Sequence, residues 1–115
     1  MSEFTLIHNP RCSKSRQTLE ILNSKGIEPK IVLYLEETLT EDFLRDTFSY
    51  LGMKPSECLR TKEDDFIKSK VDMTDEDSII EAIIKFPKIL ERPIVIHKSK
   101  AVIGRPPENV LAIIS

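Results

Sequence analysis

The strongest constraint on the fold of this chain is the order of its first apolar segments. Residues 4–8 (FTLIH) form an apolar run of buried-strand length, and the HNPRC loop that follows carries an Asn-Pro turn signal. Between Ser13 and Lys25, Leu19, Ile21 and Leu22 share a helix with polar neighbours, and Gly26 supplies a left-handed cap at its end. Residues 30–35 (KIVLYL) read as a second buried strand. Strand, helix and strand in that order imply a parallel pair joined by a right-handed crossover, the opening unit of an α/β protein.

The middle of the chain changes character. Thr40 can cap a helix that carries Phe43, Leu44, Thr47, Phe48 and Leu51 on one face, with Gly52 closing it. The segment KEDDFIKSK around Phe66 is a weaker helical stretch, whereas Thr74–Phe86 opens with acids and spaces Ile79, Ile80, Ile83 and Ile84 at helical intervals. The pattern predicts an all-helical block over about 40–88. Strands return at Ile94–His97 and Ala101–Ile103, and the Lys-Ser-Lys stretch between them suits an exposed hairpin, so the two should be antiparallel neighbours. Pro107 stands where the first residue of a helix tolerates a missing N–H, and Val110, Leu111, Ile113 and Ile114 would give that last helix its buried face. Without the block, this order is the thioredoxin-like arrangement of one mixed sheet flanked by helices. The expectation is one α/β domain over 1–115 with a helical insertion at about 40–88.

The 115 residues suffice to bury a core without metal or disulfide staples, and 40% apolar with 31% charged residues is an ordinary composition for a globular protein. A net charge of -2 gives no general attraction to nucleic acid or to an anionic membrane. The start MSEFTLIHNP has neither the basic opening nor the apolar run of a secretory signal, and nowhere do about 18 apolar residues run uninterrupted. A cytoplasmic monomer is expected. In a reducing compartment its two cysteines, Cys12 and Cys58, should both be free thiols.

Cys12 follows a strand and precedes a helix, so the free N–H groups and positive dipole end of that helix would stabilise its thiolate, the nucleophilic form. Arg11, Lys14 and Arg16 lie close in sequence, and His8 on the approaching strand could add a charge or a hydrogen bond. The same exposed N–H groups form an anion site, so attacker and binding cradle coincide. For an arbitrary cysteine the plainer reading is a small buried residue, but the strand-to-helix position reverses the odds. Arg11 and Lys14 also fit simple solvated charges, and His8 a capping histidine at the edge of the core.

The segment HNPRCSKSRQTLE resembles the active-site stretch of the ArsC family, which includes glutaredoxin-linked arsenate reductases and related Spx-type transcriptional regulators. VLYLEETLT, the Leu59-Arg60 pair, ERPIV at 91–95 and IGRPPENV at 103–110 resemble the same family in the same order, covering nearly the whole chain. For the reductases the resemblance implies a cysteine that attacks arsenate and three arginines that hold the anion. The matching positions are Cys12, Arg60, Arg92 and Arg105. Guanidinium groups suit this task because their planar, permanently charged forks match paired oxygens. Arg92-Pro93 matches the place where thioredoxin-like folds carry a cis proline beside the active cysteine.

The resemblance further implies a thiol-arsenic adduct on Cys12 and reduction by external thiols, glutathione followed by glutaredoxin, with no metal, flavin or nicotinamide bound to the chain. Ser15 stands where a Cys-x-x-Cys motif would have its second cysteine, so a local resolving thiol is absent and Cys58 is expected to be structural. Two other readings differ in class. The regulators contact RNA polymerase and sense oxidation through Cys-x-x-Cys, a disulfide that Cys-Ser-Lys-Ser cannot form, so polymerase binding without that switch stands as the second reading. A small cysteine phosphatase needs an arginine after five intervening residues, where this chain has Thr18. The basic rim of Arg11 and Lys14, where such reductases often have small residues, also leaves room for a reductase of another oxyanion or of a glutathionylated thiol.

Overall fold

The fold was analysed on a computed structural model that describes residues 4–114. Met1–Glu3 and Ser115, which the expected 1–115 domain includes, lie outside the described residues. The chain divides into two compact units, one running to Glu37 and resuming at Arg92, the other Thr38–Glu91.

The first unit holds strands β1 (Phe4–His8), β2 (Lys30–Leu33), β3 (Ile94–His97) and β4 (Lys100–Ile103), with helix α1 (Ser13–Ser24) between the first two. They form one mixed sheet in the order β2-β1-β3-β4. β1 runs parallel to β2 with Leu6 opposite Ile31, and antiparallel to β3 with Leu6 opposite Val95. β3 pairs antiparallel with β4, Val95 facing Val102. β1 is apolar almost throughout because it lies inside the sheet, and Leu6 and Ile7 are fully buried. Phe4, Leu6, Leu22, Val95 and Val110 make one core cluster, with Leu19, Ile27, Val102 and Ile113 packed against it. Truncating Leu22 to alanine would cost about 2–5 kcal/mol by transfer and cavity formation.

α1 ends in a Schellman arrangement. Gly26, at φ 76°, donates its N–H to the Asn23 carbonyl and Ile27 donates to the Leu22 carbonyl, both at 3.0 Å. Four chain directions then converge. The exits of β1 and β2, the entry of β3 and the exit of β4 share one edge of the sheet, because the first two strands are parallel and each later pairing is antiparallel.

Several elements of this unit differ from expectation. β2 ends at Leu33, after which Tyr34 is buried and Leu35 exposed. α1 stops at Ser24. The final segment, Pro107–Ile113, is a 3-10 helix and not an α-helix. With about three residues per turn, Pro107, Val110 and Ile113 fall on one face, and Leu111 turns outward at 45% exposure.

The second unit carries α2 (Glu41–Leu51), α3 (Asp64–Ser69) and α4 (Glu76–Lys85), with 3-10 turns at Pro55–Cys58 and Pro87–Ile89. Thr40 caps α2 by accepting the Phe43 N–H at 3.1 Å, and Gly52 ends it at φ 66°. Asp75 caps α4 by accepting the Asp77 N–H at 3.1 Å, so the helix begins at Glu76, inside the expected Thr74–Phe86 stretch. Leu44, Phe48, Ile79, Ile80 and Ile83 are buried, and Arg45, paired within α2 with Glu41, ties α2 to α4 through Glu76 and Asp77. The block is not helical throughout. After each proline-initiated 3-10 turn the backbone is extended, and its polar groups pair as an antiparallel bridge between Leu59 and Leu90.

Candidate active site

Cys12 is the N-cap of α1, in extended backbone at φ -91° and ψ 122°. Its N–H donates to the Asn9 carbonyl at 2.9 Å, closing a tight turn over Asn9–Cys12, and its carbonyl accepts the Arg16 N–H at 3.0 Å. The side chain therefore occupies the place where an oxygen-bearing residue usually satisfies the first turn. The backbone N–H groups of Ser15 and Lys14 favour its thiolate as hydrogen-bond donors. Lys14 thus contributes through its amide, while its side chain is exposed.

Two arginines of the same unit complete the surroundings of the sulfur. Arg105 donates Nη2–H to Cys12 Sγ at 3.4 Å and Nε–H to the Arg92 carbonyl at 2.7 Å. Burial pushes the Cys12 thiol up, but the Ser15 amide, the Arg92 guanidinium as hydrogen-bond donor, the Lys14 amide and the Arg105 charge together outweigh it. The thiol consequently sits below its ordinary value.

His8 ends β1 and is buried, its Nδ1 2.6 Å from Ser15 Oγ. Burial first, and the Arg16 charge second, hold the imidazole below its usual value, which favours its neutral form. Ser15 Oγ also accepts the Asn9 N–H at 3.1 Å. The serine that replaces a second cysteine thus joins β1, the turn and α1. Arg16 donates to the Pro10 carbonyl at 2.9 Å, on the outside of the same turn.

Arg92-Pro93 is cis, at the entry of β3, as the thioredoxin-like pattern implied, and Arg105-Pro106 is cis as well. Between these two segments Gly104 donates its N–H to the Pro93 carbonyl at 2.9 Å. A Cβ there would lie 2.5 Å from Thr18 Oγ1 and 2.9 Å from Pro93 Cγ, so glycine lets the loop bearing Arg105 close onto α1. Asn109 Nδ2 spans the loop by donating to the Ile103 carbonyl at 3.3 Å and the Arg105 carbonyl at 2.9 Å.

Cys12, His8, Ser15, Arg92, Pro93 and Arg105 are brought together in one unit. Arg60 belongs to the other, where its Nη1 pairs with Glu91 at 3.1 Å and its N–H donates to the Ile89 carbonyl at 2.7 Å. Cys58 is buried there, its thiol pushed up to about 11 by burial, then by Glu57 and Glu91. Sequence reasoning missed Asn9, Gly104, Asn109 and Glu91. The Asn9-Pro10 pair and the Gly104–Pro107 segment mark turns near the first three, without naming what each turn carries. Among the described residues no cluster of three or more His, Cys, Asp or Glu could hold a metal ion, and no helix is long and apolar enough to cross a membrane.

A mixed four-stranded sheet with a cysteine at the N-cap of the helix after β1, and a cis proline just before a neighbouring strand, defines a thioredoxin-like protein. More narrowly, the chain belongs to the ArsC family, whose model matches residues 7–113. It is 46% identical to the uncharacterized protein YfgD of Escherichia coli strain K12, over 95% of this chain and 94% of that one. It is 39% identical to an arsenate reductase of Neisseria meningitidis serogroup A, over 99% and 100%. The solved arsenate reductase from Vibrio cholerae superposes with a TM-score of 0.90 at 36% identity, covering 96% of this chain and 97% of that one.

Proposed function

We propose that this protein is a cytoplasmic oxidoreductase that reduces arsenate to arsenite, with Cys12 as nucleophile and glutathione followed by glutaredoxin as the external reductants. The observation that carries the reading is the Arg105 guanidinium at 3.4 Å from a Cys12 sulfur whose thiolate is favoured. A cation held against a nucleophilic sulfur serves an anionic electrophile, since it lowers the repulsion between two negative reactants.

Cys12 thiolate attacks the arsenic of dihydrogen arsenate; the S–As bond forms, one As–O bond breaks and the departing hydroxide is protonated to water. Glutathione then exchanges for a second hydroxyl, its proton leaving with that oxygen as water. A glutaredoxin thiolate attacks the glutathione sulfur, an S–S bond forms, and the As–S electron pair returns to arsenic, taking As(V) to As(III). Water hydrolyses the remaining Cys12–As bond to release arsenite and the thiol. All electrons come from the two external thiols, so the cycle needs no cofactor of the chain's own. Arg92 and Arg105 are assigned to the anion and its adducts, and Arg60 joins them on the family resemblance. His8 and Ser15 support the turn that carries the nucleophile.

The test is arsenate-dependent NADPH oxidation with glutathione, glutaredoxin and glutathione reductase supplied. Turnover in the natural chain that vanishes in Cys12→Ser is the expected result. No arsenate-dependent oxidation by the natural chain would overturn the reading.

A further inference from the structure

The sheet order places Cys12 between two different flanks. Cys12 follows β1, which has β3 on one side and β2 on the other. On the β3 and β4 side stand Arg92 and Arg105, the cations on the sulfur. On the β2 side lies a cleft of about 330 Å3 lined by Pro10, Arg11, Leu33, Leu35 and Glu36, with the buried His8. Its volume is near the lower end of the range of roughly 300–1,000 Å3 for small-molecule sites. Cleft and nucleophile flank the same Asn9–Cys12 turn, and that turn is rigid. Asn9 accepts the Cys12 N–H on its carbonyl and the Arg11 N–H on Oδ1 at 3.0 Å.

The lining has a definite chemistry. Arg11 and Glu36 supply one cation and one anion, and both side chains are exposed. Between them Pro10, Leu33 and Leu35 offer apolar surface; Leu33 ends β2, the edge strand with a single neighbour in the sheet, and Leu35, in the turn that follows, is 39% exposed. The proposed cycle needs a second reactant whose sulfur reaches the arsenic on Cys12 from a side the arginines do not occupy. We propose that this cleft is the subsite for the first thiol reductant, a small zwitterionic peptide thiol of the glutathione class. Arg11 takes one of its carboxylates, Glu36 its ammonium group, and Leu33 and Leu35 its methylene chain. The inference rests on the arsenate reading above and adds to it the place and orientation of the thiol. Bound there, the thiol exchanges for a hydroxyl on arsenic: an As–S bond forms, an As–O bond breaks, and the thiol proton leaves in water with no change of oxidation state. The small volume favours a peptide thiol over the face of a folded protein, which needs a far larger contact.

The test separates the cleft from the arsenate chemistry. The Cys12→Ser chain is titrated with S-methylglutathione, which cannot react, while backbone amide shifts are followed by NMR. Saturable shifts at Arg11, Leu33, Leu35 and Glu36 are expected, with Arg11→Glu and Glu36→Lys each weakening binding on the order of tenfold, the scale of one charge-assisted hydrogen bond. In turnover, Arg11→Glu should raise the KM for glutathione by a similar factor and leave that for 2-mercaptoethanol, which has neither charge, where it was. Thermal unfolding of each variant confirms that it folds. Shifts confined to Arg92–Pro93 and Gly104–Arg105, no saturation, or equal KM changes for both thiols would overturn the proposal. A KM change for glutaredoxin alone would assign the face to a protein thiol and also overturn it. Absence of arsenate turnover with shifts that still map to the cleft would remove arsenate and leave the thiol site standing.

Discussion

Arg105 donates its Nε–H to the backbone carbonyl of Arg92 at 2.7 Å, and this bond sets the direction of the rest of its guanidinium. With Nε held, Nη2 lies 3.4 Å from Cys12 Sγ. One planar group thus joins the entry of β3 to the Cys12 sulfur, a geometry that a lysine ammonium cannot reproduce because it offers no fixed fork.

Replacing Arg105 therefore has two separable consequences. Arg105→Ala is expected to lower kcat/KM for arsenate about 10- to 100-fold, the equivalent of losing one hydrogen bond to a charged group at about 1.5–3 kcal/mol. It should also move the pH midpoint of Cys12 alkylation upward, because one source of thiolate stabilisation is gone. Arg105→Lys should recover part of the alkylation shift and less of the kcat/KM. Steady-state kinetics beside a pH series of iodoacetamide labelling would show both.

The two thiols are shifted in opposite directions. Cys12 is half-exposed and lies below its ordinary value, whereas Cys58 is buried with its thiol pushed up to about 11. Iodoacetamide at neutral pH should modify Cys12 in the folded protein and leave Cys58 unmodified, with both reacting in denaturant. Peptide mass mapping decides this, and equal labelling of the folded chain would contradict it.

His8 makes stability depend on pH. Its folded-state value is lowered by burial, then by Arg16, relative to the 6.5 of the unfolded chain, so the unfolded state binds the proton more readily. The contribution is complete above about pH 6.5 and is lost as the pH falls through the folded-state value. Urea unfolding at pH 7.5 and pH 5 should show a loss of stability at the lower pH that His8→Gln reduces. A His8→Gln chain with the full pH dependence of the natural one would place that dependence elsewhere.

How much of this was legible before the fold was known varies with sequence distance. The parallel β1 and β2 pair showed in the alternation of apolar run, helix and apolar run, and Cys12 at the helix start followed from that local order. The approach of Arg105 to Cys12 spans 93 positions and depends on the antiparallel pairing of β3 with β1, which no local spacing reveals. Only the family resemblance pointed to Arg92 and Arg105, because each alone reads as a surface charge. Gly104 and Asn109 stayed hidden because their roles lie in what a loop must avoid and what it must bridge. The end of the chain misled for a different reason. Apolar residues at 110, 111, 113 and 114 fit an α-helical face, and the seven-residue 3-10 helix there redistributes them.

Gly104→Ala tests the closeness of the loop to α1. The added methyl group would meet Thr18 Oγ1 at 2.5 Å and Pro93 Cγ at 2.9 Å, and Thr18 is held by its own bond to the Lys14 carbonyl at 2.9 Å. Overpacking of this kind costs about 1–3 kcal/mol, and the displaced loop carries Arg105 with it. A lower Tm together with a raised KM for arsenate is expected, and Thr18→Ala in the same chain should restore part of both. An unchanged Tm would mean that the loop relaxes without strain.

The register of the last segment can be read by comparing neighbours. In the 3-10 helix Val110 is fully buried in the core cluster while Leu111 faces out. Val110→Ala should destabilise by about 2–3 kcal/mol, through the lost transfer energy of the deleted methyl groups and the cavity left behind. Leu111→Ser should stay within about 0.5 kcal/mol of the natural chain, as surface substitutions do. An α-helix over the same residues would bury Leu111 on the face that sequence periodicity suggests, and both substitutions would then be costly. Denaturant unfolding of the two variants therefore distinguishes the helix types: a large cost at Leu111 is the result that would reject the 3-10 register.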